Sequence, residues 1–174
     1  MKFNIKKEQE GFTIIEVMIV LVIAAVILLI VFLAVPALQR NARNVQRKED
    51  VAGVLAAFNE NLNNSNGIPP LGIWTGTAGL VRLTQVTTVT ATATSPGGEA
   101  KLGFFAPTDI TYVVVPSSPA TPTTNLNDVS KLQILSNSVC NGSNATNTGA
   151  STRQAVALYT LETQGANTQV CQAT

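Results

Sequence analysis

The sequence predicts an α+β fold: one long N-terminal helix packed on a small antiparallel β-sheet head domain. Three observations predict it. An apolar run from Phe12 to Leu38 is broken only by Glu16. A polar stretch carrying apolar residues at helical spacing continues it to about residue 64, where Asn63-Asn64-Ser65-Asn66-Gly67 and then Pro69-Pro70 make a stop. The rest of the chain falls into short runs rich in Val, Thr and Ile, divided by Gly, Pro and Asn.

The helix has two characters. Residues 17–38 hold no charge, and at a rise of about 1.5 Å per residue they span a hydrocarbon core of about 30 Å. Pro36 removes one backbone donor near the end of this run and is expected to kink the helix or loosen the turn before it. Beyond it, Val45, Val51, Val54, Leu55, Phe58 and Leu62 predict one apolar face, with Arg43, Arg47 and Asp50 on the opposite, charged face. That stripe must cover something, and a sheet built from the rest of the chain is the available partner. The first half is apolar all round. It has no such cover in the monomer and calls for lipid or a bundle of identical helices.

In the head, residues 80–94 suit one or two short strands, and Pro96-Gly97-Gly98 reads as a turn. Residues 110–115 form a strong strand closed by Pro116, and residues 117–125 a loop with Pro119 and Pro122. Further strands are expected at 131–139, 154–162 and 168–172. Residues 141–152 read as a polar surface loop and 164–167 as a tight turn. Trp74 is read as a small-core anchor, and Tyr112 and Tyr159 as packing residues.

Composition narrows the chemistry. The chain has no histidine, which removes the common catalytic triads, Cys–His pairs and ordinary zinc sites. Outside the first helix the acidic residues Glu99, Asp109, Asp128 and Glu162 are scattered, with Glu60 near the helix end. No phosphate-binding loop, dinucleotide fingerprint or calcium loop is present. The reading is therefore of a protein that is not an enzyme, with no catalytic residues, no cofactor and no metal. Net charge is +1, all of it in residues 1–11, so bulk charge gives no reason to expect a polyanion partner. Arg40, Arg43, Arg47 and Lys48 could meet anionic headgroups or acidic groups of neighbouring subunits, or form a solvated helix face.

The sharpest signal is Gly11-Phe12-Thr13-Ile14-Ile15-Glu16, reached from a leader carrying Lys2, Lys6 and Lys7. A carboxylate inside hydrocarbon costs roughly 2.5–3.5 kcal/mol on insertion scales, so Glu16 calls for a partner. This segment resembles the N-terminus of type IV prepilins, the class III signal of bacterial pilins and pseudopilins. The resemblance is specific over about residues 6–48; outside the helix it is architectural. It implies a pilin fold and cleavage between Gly11 and Phe12 by a prepilin peptidase that also methylates the new Phe12 amine. It implies that Glu16 meets the N-terminal amine of a neighbouring subunit during assembly. The division implied is leader 1–11, transmembrane or fibre-core helix 12–38, amphipathic helix 39–66 and β-rich head 67–174.

The implied partners are other pilin subunits, the peptidase and methyltransferase, an assembly ATPase and an inner-membrane platform protein. The chain would sit in the inner membrane, leader side cytoplasmic, and then in an extracellular fibre serving adhesion, twitching motility or DNA uptake. Nucleic acid stays open as a ligand. A pseudopilin of a secretion or competence system is the alternative within the family. A membrane-anchored extracellular binding module that never polymerises is the alternative of another class. Proline in this part of the helix is also a family feature, although Pro36 falls about one turn later than usual. The even pair Cys140 and Cys171, in a chain expected to leave the cytoplasm, favours a disulfide over two free thiols. In pilins a comparable C-terminal loop is disulfide-bounded and displayed on the surface.

Overall fold

The structure, a computed structural model, describes residues 11–76, 79–85, 98–115, 126 and 128–174. The leader before Gly11, the strand signal of 86–94, Pro96-Gly97, Pro116 and the loop of 117–125 lie outside the described residues. The chain divides into two compact units, Met1–Gln39 and Arg40–Thr174.

Helix α1 spans Ile14–Asn64. Its residues up to Gln39 are exposed on every side, as expected where no side of the helix is polar. Pro36 lies inside the helical run. The helix ends with Asn66 and Gly67 in the left-handed region, and the Gly67 N–H donates to the Leu62 carbonyl at 2.7 Å. That bond is the closing bond of a Schellman-type cap, which Asn and Gly tolerate best.

In the second unit the C-terminal part of α1 packs with residues of two sheets. One sheet holds β1 (Gly72–Thr75), β2 (Leu80–Thr84) and β3 (Glu99–Lys101) in sequential antiparallel order. A second holds β4 (Ile110–Val114), β5 (Leu132–Ser136), β8 (Ala155–Leu161) and β9 (Thr168–Ala173), in the order β4-β5-β8-β9. Helix residues Val51, Val54, Leu55, Phe58 and Leu62 pack with Val81 and Leu83 of the first sheet and Leu132, Ile134, Ala157 and Tyr159 of the second.

The second sheet is antiparallel at β5–β8 and β8–β9, as expected of the head, but mixed overall, because β4 runs parallel to β5. A parallel pair needs a crossover rather than a hairpin, and here that crossover is the chain between residues 114 and 132.

The opposite face of this sheet carries a second cluster of Val115, Leu135, Val156, Leu158 and Ala145. Ala145 belongs to a hairpin of β6 (Val139–Asn141) and β7 (Asn144–Thr146). The surface loop expected from residue 141 is therefore partly a hairpin. Gly142, at φ 62, opens its two-residue turn and supplies the left-handed position that a Gly-x turn requires. With the helix on one face and the hairpin on the other, every residue of β5 is buried, along with β8 up to Thr160. This is why these strands alternate only in part.

Other expectations shift in detail. The strand expected over 131–139 ends at Ser136, where Asn137 turns left-handed at φ 52. The turn expected at 164–167 is a longer connection, because the last β8–β9 pair is Leu161 with Thr168. Trp74 is half-buried and stands opposite Arg82, not in the core. Tyr159 is buried in the core, and half-buried Tyr112 donates from its hydroxyl to the Pro70 carbonyl at 2.6 Å.

Candidate functional site

Two groups of functional residues emerge, one at the N-terminus and one where α1 meets the head. At the first, Gly11 and Phe12 are exposed, Phe12 at 85%. A Cβ added at Gly11 would meet nothing within 4 Å. The fold of this chain thus gives no reason for glycine there. Thr13 precedes the first helical residue, and the Glu16 carboxylate accepts from the Thr13 N–H at 2.9 Å and from its hydroxyl at 2.6 Å. This is the return half of a capping box: the acid three residues into the helix satisfies an N–H that has no helical acceptor. Both bonds fall on Oε2. The opposite oxygen, Oε1, has no hydrogen bond among the described residues, on an exposed side chain.

Residues 6–32 match the family described as the prokaryotic N-terminal methylation motif. The chain carries that motif. It is the class III signal of type IV pilins and pseudopilins, a structural and generally non-enzymatic class. No curated protein and no solved structure matches the chain. Gly11, Phe12, Thr13 and Glu16 all lie within the matched segment, and Pro36 lies four residues beyond its end. Helix α1, which begins inside the motif, is long and apolar enough to cross a membrane, which together with the motif suits anchoring before assembly.

The second group was hidden in the sequence. Arg43 and Arg47, expected on the outward face, turn toward the head. Arg47 is fully buried, with its guanidinium carbon 4.1 Å from the centroid of the Phe104 ring. Both arginines hold Glu162, the residue after β8. Arg43 donates from Nε to both carboxylate oxygens at 3.1 Å and from Nη2 to Oε2 at 2.6 Å, and Arg47 donates from Nη2 to Oε1 at 2.5 Å. Asn44 exchanges two bonds with the Glu162 backbone: Nδ2 donates to the carbonyl at 2.8 Å, and Oδ1 accepts from the N–H at 2.9 Å. The same Oδ1 accepts from Arg47 Nη1 at 2.7 Å. Arg43 and then Arg47 hold the Glu162 carboxyl well below the usual carboxylate range, at about 2. Its grip in turn raises Arg43.

Asp50 also faces inward. Its carboxylate accepts from three successive backbone N–H groups, those of Gly103, Phe104 and Phe105, at 2.8, 2.8 and 3.0 Å. Val45, assigned to the buried face from sequence, is 53% exposed. A signal for the correct register was available. Stepping back from Phe58 by fours and threes through Val54 and Val51 lands on Arg47 and Asn44, not on Val45.

In the second unit, a disulfide joins Cys140 of β6 to Cys171 of β9, with Cα atoms 5.7 Å apart. Gln169 donates from Nε2 to the Ser143 carbonyl at 2.9 Å and to Asn144 Oδ1 at 3.1 Å, so hydrogen bonds as well as the disulfide tie the hairpin to the edge strand. Among the described residues, no group of histidine, cysteine, aspartate and glutamate is placed to hold a metal ion.

Proposed function

We propose that this chain is a type IV prepilin whose processed form is a structural subunit of a surface fibre. The reading rests above all on one combination: the methylation motif over residues 6–32, running into a helix whose apolar side chains are uncovered from Phe12 to Leu38. A chain that only needed an anchor would gain from replacing Glu16 by leucine.

In this reading a peptidase cuts between Gly11 and Phe12, and the Phe12 amine is methylated. Gly11 has no packing neighbour that a side chain would disturb, so its selection falls to the enzyme that reads it. Residues 12–38 hold the subunit in the inner membrane and later lie in the fibre core. Residues 39–66 carry the head of 67–174 to the outside. Cleavage leaves the Thr13 N–H in place, so the Glu16 cap survives while Oε1 remains available to the amine of a neighbouring subunit.

The test is mass spectrometry of N-terminal peptides from material sheared off the cell surface. A peptide beginning at methylated Phe12 is expected. A chain confined to the membrane and still beginning at Met1 would overturn the reading. Gly11→Ala should fold unchanged and accumulate uncut.

A further inference from the structure

We propose that Arg40 and Arg43 form a fork for the phosphate of an anionic phospholipid headgroup. The proposal concerns the membrane-inserted stage of the function proposed above and is testable without processing or polymerisation.

The four cations that follow the apolar run divide into distinct roles. Arg47 is enclosed by Glu162, Asn44 and Phe104 and is inaccessible. Arg43 is held by Glu162 along its Nε–Nη2 edge, yet its side chain is 42% exposed and its Nη1 carries no hydrogen bond among the described residues. Arg40, half-buried, makes no ion pair or hydrogen bond among the described residues. Three residues apart on a helix, Arg40 and Arg43 are side-by-side neighbours. One guanidinium of the pair is already oriented, so less rotamer freedom is lost when an anion docks. The three charges of Arg43, Arg47 and Glu162 leave one positive charge over, and Arg40 adds a second.

The position selects the anion. Arg40 is the second residue beyond Leu38 and Arg43 the fifth. At the helical rise these lie about 3 and 7.5 Å past the apolar run. The headgroup layer occupies roughly 5–8 Å on each side of the hydrocarbon core. Phosphates of the surrounding bilayer therefore lie at the height of the fork. A planar guanidinium pairs with phosphate oxygens in a bidentate manner that a solvated lysine does not.

The experiment uses the full chain purified in neutral detergent micelles, with phosphatidylglycerol or phosphatidylcholine at equal mole fraction, and counts retained lipid by native mass spectrometry. Phosphatidylglycerol should be retained about fivefold or more over phosphatidylcholine. Arg40→Gln should remove that preference while circular dichroism stays unchanged, because Arg40 holds nothing in the fold. Lys48→Gln, an equal loss of charge outside the fork, should keep it. Equal retention of the two lipids, an undiminished preference in Arg40→Gln, or an equal loss in Lys48→Gln would each overturn the proposal. So would an Arg40→Gln chain that keeps its lipid but loses self-association, since the fork would then take a carboxylate from a second copy.

Discussion

Glu16 combines two demands in one side chain. Its carboxylate closes the first helical turn through Thr13, and its charge is exposed on an apolar surface. Glutamine keeps a carbonyl acceptor for the Thr13 N–H but removes the charge. Glu16→Gln should therefore leave helicity and membrane insertion intact while fibre yield falls at least tenfold on the scale of a lost charge pair. Circular dichroism and quantitation of sheared material would separate the two, and normal fibre yield would leave the capping role alone. Gly98 shows a different kind of residue-scale constraint. A Cβ there would overlap the Ala57 carbonyl on α1, so Gly98→Ala should destabilise the head by about 1–3 kcal/mol or more, read as a lower denaturant midpoint.

At the scale of elements, the second half of α1 is joined to the head by polar anchors as well as by apolar packing. Asn44, Arg47, Asp50 and Asn61 recur along the buried side among Val51, Val54 and Phe58. Asn61 donates to the Leu83 carbonyl at 3.0 Å and accepts from Gln85 at 2.7 Å, which fixes β2 against the helix end. Asp50→Ala leaves three N–H groups without their acceptor and should cost about 1–3 kcal/mol in thermal or denaturant unfolding.

The Glu162 contact brings a pH dependence. Its folded pKa, about 2, is depressed below the usual value near 4.3, so its stabilisation is complete above the unfolded pKa and fades as pH falls toward the folded one. The stability gap between the wild-type chain and Glu162→Gln should hold above about pH 5 and narrow steadily toward pH 2. A gap that widens on acidification would show that the ion pairs do not set it.

Across the whole molecule, α1 and the β6–β7 hairpin enclose the β4-β5-β8-β9 sheet from its two sides. The disulfide fastens the hairpin layer to edge strand β9, 31 residues apart in the chain. Converting Cys140 and Cys171 to serine should lower stability by about 3–4 kcal/mol on the chain-entropy estimate. Losses should concentrate in hydrogen-exchange protection of β6, β7 and β9, since α1 packs on the other side.

The sequence alone determined the motif, the span of the long helix, its greasy first half and the α+β class, because each follows from local order: a run of apolar residues, a Gly-Phe junction, an Asn-Gly stop. It also put most of the strands in place. Only the tertiary structure decided which way Arg43, Arg47 and Asp50 point. A charged residue reads as solvent-facing until its partner is known, and Glu162 lies 115 residues from Arg47. The same holds for the parallel pairing of β4 with β5 and for the hairpin cut from a polar run. Pairing direction and two-sided burial belong to contacts between distant segments, which no local pattern of residues records.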